Sequence, residues 1–571
     1  MTQPVLTDAG DAVAARPAAF ASRRVLVFFF SACGATAAII YWLQALRMGR
    51  FDPQALPIFY SLFIFQDYLP ALTALGLLAA ALVPGVGAFG MRLASICGDR
   101  PITVAGITTV CLSAGALLVY RNHPLSMDEY AAAFQGKVFA TGHLTGRFPV
   151  PLMDWLVPPG FQNQFLTVSH ESGAVASIYL PGFALLLAPF TWLSIPWAAN
   201  AIVGGVTVLL VHRLALELLG SRQAAGLAVL LTLASPAVTI NAMSYYSMPA
   251  HLAANAAFAL LLLRPTPRRA LAAGVVGSFA LVLHNPVPHI LFAIPWGIWL
   301  LAGRERRLNV LFLLIGYLPL CIVIGIGWPM FLHTLHDADG VAASTQAAGS
   351  TVLGQWLASL RSVLVLPSVP LLVARIIGTA KIWIWAVPGL LLLACVGAFK
   401  ERRNVRLMLL AASALTTLIG YTFVPFDQGH GWGFRYFHSA WFALPLLAAA
   451  AVVKIDGQQA PQMRAYVAGL AALSLVFLTA IHASNVQNFI DAQRSQMPAV
   501  AGITPQVLIV NSRAGYYAGD LVQNDPLLRT KPIVLISHGQ SDDEQVMKQN
   551  FPGLQRVYKG PHGTAWAPSA P

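Results

Sequence analysis

Charge is scarce in this chain. Its 571 residues include 35 Lys and Arg and 22 Asp and Glu, 10% in all, against roughly 25% in an average soluble protein. Too few charges remain to cover a water-facing surface, which excludes a soluble enzyme of ordinary design. Cysteine is sparse as well. Cys33, Cys97, Cys111, Cys321 and Cys395 lie in or beside apolar runs with no C-x-x-C pair, so neither a disulfide framework nor a zinc ribbon is expected. There is no H-E-x-x-H, no G-x-x-x-x-G-K-S/T phosphate loop and no G-x-S-x-G elbow, which leaves an ATP-driven pump and a standard serine hydrolase without support. The net charge of +13 comes without a concentrated basic domain interleaved with aromatics, so nucleic acid is not an expected partner.

What fills the chain is apolar: 57% of residues are hydrophobic, in runs near the twenty or so that cross a bilayer as one helix. Short basic clusters punctuate the runs at Arg264 to Arg269, Arg304 to Arg307, Lys400 to Arg406 and Lys454 to Arg464. Each neighbouring pair is separated by two runs, so all four clusters can lie on the cytoplasmic side. The expected architecture is an all-α polytopic membrane protein in a bacterial-type plasma (inner) membrane, with about 13 transmembrane helices. Residues 1–24 read as a cytoplasmic leader, 25–45 as a retained first span and 25–482 as the membrane domain, with large extracytoplasmic loops at 120–176 and 329–381. Between Ser177 and Leu263 four apolar segments occur where parity allows an odd number. One must fail to cross, either in the pair broken at Ile195-Pro196 or at Ser235-Pro236, because proline interrupts the helical ladder.

Residues 483–571 change character. Charged residues rise to about 15% and no spanning run remains. Val507 to Val510, Ile533 to Ser537 and Arg556 to Tyr558 read as strands, with a helix over Asp542 to Asn550. A small C-terminal α/β extracytoplasmic domain is expected.

Carboxylates are few enough to count before that tail. The topology puts nine of sixteen outside: Asp52, Asp67, Asp128, Glu129, Asp154, Glu171, Asp337, Asp339 and Asp427. Asp128 and Glu129 directly follow a run, in Ser126-Met-Asp-Glu-Tyr130. A carboxylate there can serve as a general base at the membrane surface. Ser126-x-x-Glu129 also fits a capping box, which explains Glu129 better than Asp128. A second constellation, Asp427-Gln-Gly-His-Gly-Trp-Gly-Phe-Arg-Tyr-Phe-His438, alternates glycines with His430 and Trp432, which allows close backbone approach to a ligand. Its Arg435 offers a planar fork for phosphate or carboxylate, beside Tyr436. The alternative is an interfacial aromatic anchor with a snorkelling arginine. His333, His336 and Asp337 could ligate a divalent metal, although a solvated loop start explains them too.

Taken in order, these motifs resemble the polytopic glycosyltransferases of the GT-C superfamily, which include the protein O-mannosyltransferases and the bacterial lipid A aminoarabinose transferases. The resemblance rests on Asp128-Glu129-Tyr130 leading to Phe139-Ala-Thr-Gly142-His-Leu144, on Tyr179-Leu-Pro-Gly182, on Val211 to Gly220, on Ala234-Ser-Pro236 and on Arg435-Tyr436 with Pro445. It implies a GT-C-like fold and a polyprenyl-phosphate-linked sugar as the donor substrate. The acceptor would be an envelope glycan, lipid or protein on the outer face. By the same resemblance Asp128 is the base and Glu129 its partner, while Arg435, with His430, holds the lipid phosphate. Ser177 to Gly182 replaces the lysine-proline-proline segment common in the family, and two spans rather than one precede the span leading into the acidic loop. The competing readings are a transporter or flippase of a lipid-linked or small polar substrate, and a non-catalytic subunit of envelope assembly. The first of these calls for charges within the spans or paired broken helices.

Overall fold

The computed structural model describes residues 66–337, 365–424, 430–455, 460–498, 502–515 and 517–568, with a few positions between 27 and 39. The expected leader, most of the expected first span, the middle of the 329–381 loop and Asp427 lie outside the described residues.

The chain is a multi-pass helical membrane protein. Among the described residues, Pro101–Leu118, Ala198–Leu219, Arg304–Leu335, Val405–Phe423 and Ala460–Arg494 are long and apolar enough to cross a bilayer. Ile107, Val110, Leu311, Leu314, Leu318 and Val323 stand exposed on the first and third of these, as lipid-facing side chains do. The helices Tyr68–Ala80 and Pro84–Asp99 form a pair bent by 101°, the apolar stretch breaking where Pro84 opens a new helix. Shorter apolar helices of 10–17 residues complete the bundle. Length alone therefore does not deliver thirteen spans.

Among the apolar helices of ten or more residues between 182 and 263, Gly182–Trp192 is the shortest. With 11 residues it extends about 16 Å, half the roughly 30 Å of a hydrocarbon core. Its first turn is tied to the end of the helix Pro267–Val282, where Phe183 N donates to Leu283 O at 2.9 Å and Leu180 N donates to His284 O at 3.1 Å. At its other end Trp192 is 74% exposed, as an interfacial anchor is. Of the other helices in this stretch, Ala198–Leu219 is long and apolar enough to cross, while Arg222–Leu233 and Met248–Leu262 are shorter. Close helix contact comes from small residues, as lipid-embedded packing favours. A Cβ on Gly274 would stand 2.1 Å from Leu313 O, and one on Gly316 would stand 2.3 Å from Leu271 O.

At one end of the bundle the chain leaves the helices. The segment after Tyr120 forms the helix Met127–Ala140 and a three-stranded antiparallel sheet of Gly146–Arg147, Ala174–Ser177 and Leu166–Val168. The C-terminal segment forms a four-stranded sheet ordered Ile533–Ile536, Val507–Val510, Gly563–Pro568, Leu554–Gly560, with the first two strands parallel and Gln540–Asn550 as its helix. The two segments share one apolar core, with Met127, Tyr130, Phe134 and Val138 packed with Val507, Ile509, Leu535 and Trp566. The last apolar helix runs to Arg494, past the expected end of the membrane domain at 482. The start of the expected 329–381 loop is helical to Asp337 and its end is helical from Val369. Gly563–Pro568 is a strand that alternation did not reveal.

Candidate functional site

The helix Met127–Ala140 begins at Ser126, whose extended backbone (φ −122°, ψ 163°) turns the chain into it. The expected capping box does not form. The Ser126 hydroxyl bonds to the Tyr246 hydroxyl at 3.0 Å, and the Met127 N–H, open at any helix start, donates to Asp520 Oδ2 at 3.1 Å. A carboxylate some 390 residues away in sequence thus caps this helix. Tyr130 ties in the same segment, donating its hydroxyl to Asn524 O and accepting from Asn524 N, each at 2.8 Å.

Asp128 and Glu129 are neighbours in sequence and about 100° apart around the helix axis. Glu129 is fully buried. Its Oε1 accepts from Tyr245 N at 2.8 Å, and its Oε2 accepts from Leu125 N at 3.1 Å and from the Tyr120 hydroxyl at 3.3 Å. Burial pushes its carboxyl up to about 8, because those hydrogen bonds and Arg435 offset only part of the desolvation. Glu129, expected as the partner of Asp128, braces the site helix against the 245–246 turn through these hydrogen bonds.

Asp128 keeps 14% of its side chain exposed. Its Oδ1 accepts from the Tyr179 hydroxyl at 2.5 Å, and its Oδ2 accepts from Arg435 Nη2 at 2.8 Å. Burial opposes the charge, but Arg435 and the Tyr179 hydrogen bond outweigh it and hold the carboxyl below the usual range. Tyr179 stays protonated, its phenol pushed far up by burial and by Asp128. Its ring lies 3.8 Å from that of His284, which burial and Arg435 hold down at about 4, a neutral imidazole at pH 7. The Arg435 guanidinium lies 4.4 Å from the Tyr246 ring centroid, a cation–π distance. Its single hydrogen bond among the described residues goes to Asp128. The site therefore offers an ionised carboxylate and a cation whose remaining N–H groups no described residue uses, in contact at the end of an apolar bundle.

Arg435 is placed by a tight hairpin pairing His430–Gly431 with Gly433–Phe434. Gly433 has φ 80°, and a Cβ there would meet Ala237 Cβ at 3.0 Å. The close approach that Gly433 permits is to Ala237. Asn241 Nδ2 donates to Trp432 O at 2.6 Å and Lys381 Nζ to Gly431 O at 3.0 Å. Lys381 also pairs with Asp67 at 3.4 Å, whose other oxygen accepts from Trp385 Nε1 at 2.8 Å.

Of the other expected site residues, Trp432 is 2% exposed and donates its indole N–H to the Tyr120 hydroxyl at 2.7 Å. Its ring is buried in the apolar core. Tyr436 stacks on Tyr421 at 4.3 Å and 6°, with the Arg375 guanidinium 4.7 Å from its ring. The backbone of His430 is placed in the hairpin, but its side chain, like those of His336 and Asp337, lies outside the described residues. His333 lies on the helix Gly327–Asp337, and among the described residues no three His, Cys, Asp or Glu side chains gather as a metal site.

Sequence reasoning passed over Tyr179, His284, Tyr246 and Asp520 as site residues. The first two sit in proline-rich segments, Tyr179-Leu-Pro-Gly182 and His284-Asn-Pro-Val-Pro-His289, and polar residues beside prolines at helix breaks are the signal that could have found them. Asp520 carries no local signal.

The chain is similar to two solved structures of ArnT from Cupriavidus metallidurans. For ArnT bound to undecaprenyl phosphate, identity is 12%, coverage is 81% of this chain and 97% of that chain, and the TM-score is 0.48. For the apo state the values are 11%, 80%, 97% and 0.46. No family model matches the chain, and no curated protein matches it.

Proposed function

We propose that this protein is a membrane glycosyltransferase that moves a sugar from a polyprenyl-phosphate-linked donor to an envelope glycan, lipid or protein acceptor on the outer face of a bacterial-type inner membrane. The observation that carries this reading is the Asp128–Arg435 contact at 2.8 Å, partly open to solvent at the end of the helical bundle. Asp128 accepts the proton of the acceptor hydroxyl, whose oxygen attacks the anomeric carbon. The bond from that carbon to the phosphate oxygen breaks, and its electron pair leaves on the polyprenyl phosphate. Arg435 meets that charge with N–H groups that no described residue uses, in a fork that matches phosphate. Phosphate on Arg435 also competes with Asp128 for the guanidinium. Once Arg435 turns to the phosphate, the main influence lowering the Asp128 carboxyl weakens and it becomes a stronger base. Tyr179 keeps hold of the other carboxylate oxygen through this exchange.

A lipid-soluble donor accounts for a site at the end of apolar helices, and the scheme needs no nucleotide loop. The test is transfer from synthetic polyprenyl-phosphate sugars by the protein in liposomes, with mass spectrometry of envelope glycans and lipid-linked intermediates in cells with and without it. Accumulation of one polyprenyl-phosphate sugar in its absence identifies the donor. Undiminished transfer by Asp128→Asn overturns the assignment of the base, and an unchanged donor pool favours a transporter or a non-catalytic assembly subunit.

A further inference from the structure

The C-terminal sheet has a cavity of its own. Val507–Val510 and Ile533–Ile536 run parallel, and the chain leaves both at the same edge, into Asn511-Ser512-Arg513 and into Ser537-His538-Gly539 ahead of the helix Gln540–Asn550. Diverging loops at the carboxyl edge of parallel strands open a crevice that ligands use. A cavity of about 710 Å³ lies at this edge, closed on one side by Pro158 to Phe161 and on another by Arg556 and Lys559. That volume is in the range of small-molecule sites and far exceeds what a lone ion needs.

Its charges are unevenly matched. Glu544 accepts from Arg556 at 2.8 Å. Asp543 turns to the Ser537 hydroxyl at 2.6 Å and His538 N at 3.0 Å, so a carboxylate already occupies the start of the helix, where a bare phosphate would otherwise settle. Lys559 Nζ donates to the neutral Gln540 Oε1 at 2.8 Å, and Arg513 has no acidic partner among the described residues. Two cations on different walls of one cavity are thus left without a carboxylate. Between them lie amide, hydroxyl and aromatic groups, including Asn511, Thr564 and Trp566. The floor is coupled to the chain that follows the site helix, since His538 packs on Trp155 at 4.4 Å and hydrogen-bonds to Asp154 O at 3.2 Å.

We propose that this cavity binds an anionic saccharide, a short run of sugar units carrying carboxylate or phosphate, and thereby docks the acceptor chain. Its role in docking rests on the glycosyltransferase reading, whereas binding itself does not. Spaced cations suit charges spaced along a glycan, and the hydroxyl, amide and aromatic lining suits sugar rings.

The experiment is titration of the full-length protein in nanodiscs with an acidic trisaccharide of uronic acid units, a neutral trisaccharide of the same size and inorganic phosphate. The acidic trisaccharide is expected to bind at least about tenfold more tightly than either of the others. An Arg513→Ser/Lys559→Ser variant, altered at exposed positions, is expected to lose at least about tenfold in that affinity, the scale of one charge-assisted contact. Asp128→Asn is expected to bind as the unaltered protein does. Absence of binding, equal binding of the neutral sugar or of phosphate, or indifference to the double substitution each overturns the proposal. Binding that stands while every polyprenyl-phosphate sugar fails as donor rejects the transferase reading and leaves the saccharide site in place.

Discussion

The pairs Asp128–Arg435 and Asp67–Lys381 are built from similar parts at the same end of the bundle, yet their surroundings differ. Asp67 and Lys381 are 1% and 0% exposed. Both are also committed to protein, Asp67 to Trp385 and Lys381 to the carbonyl of Gly431. Asp128 and Arg435 are 14% and 18% exposed, and the Arg435 guanidinium has N–H groups to spare. A sealed pair can only hold parts together, because nothing reaches it and breaking it strands a charge. An open pair with unused hydrogen-bonding capacity can exchange its partner for a ligand, which is what chemistry at a membrane surface requires. The sealed pair supports the open one, since Lys381 holds the hairpin from which Arg435 projects.

Substitution should separate the two regions. Asp128→Asn should reduce transfer by about 10²–10⁴-fold, the usual share of a general base, and leave the thermal midpoint nearly unchanged. Loss of both together would make this pair scaffolding and erase the contrast. Lys381→Met should do the reverse, costing about 3–5 kcal/mol by leaving Asp67 buried without its cation. The Asp67→Leu/Lys381→Met double variant should recover most of that in thermal unfolding in detergent. Arg435→Lys should raise the KM for the lipid-linked sugar by about tenfold or more, as expected when a charged hydrogen bond worth roughly 1.5–3 kcal/mol is lost.

pH sharpens the same contrast. Burial raises Glu129 to about 8 and Asp520 to about 7, so the folded protein holds protons that the unfolded chain has already released. Their contribution to stability should therefore be greatest below the ordinary carboxylate range and fall progressively as pH rises from there to about 7 for Asp520 and about 8 for Glu129. Glu129→Gln should remove the upper part of that fall in a series of thermal melts. Asp128, held low, should give turnover an acid limb below the ordinary aspartate range. The smallest effect is expected at the other end of the bundle, where Arg213 lies over Glu217 at 2.8 Å with 61% of its side chain exposed. Arg213→Ala should change stability by less than about 0.5 kcal/mol.

Much of the framework was legible in the residues. The strands Val507–Val510 and Ile533–Ile536 follow from runs of β-branched and aliphatic side chains, and the apolar helices follow from composition. Asp128 stood out because outer carboxylates are so few. Gly563–Pro568 escaped notice because Gly, Ala and Pro carry little strand preference, and the segment is a strand by virtue of neighbours on both sides. The capping box at Ser126 was a sound local pattern that lost to Asp520 and Tyr246, groups that only folding brings near. Trp432 looked like an exposed aromatic in a glycine-rich loop and proved to be core, because its indole N–H finds Tyr120.

The sequence by itself determined the class of molecule, since hydrophobic run length and charge scarcity are properties of the chain in one dimension and the bilayer reads them directly. It also singled out an adjacent pair of carboxylates, Asp128 and Glu129. Which of the two faces the open site was decided by the tertiary structure. One residue of helical rotation carries Glu129 into a cage of backbone N–H groups from Leu125 and Tyr245, and leaves Asp128 toward Arg435, 307 residues away in sequence. No local pattern encodes a partner at that separation.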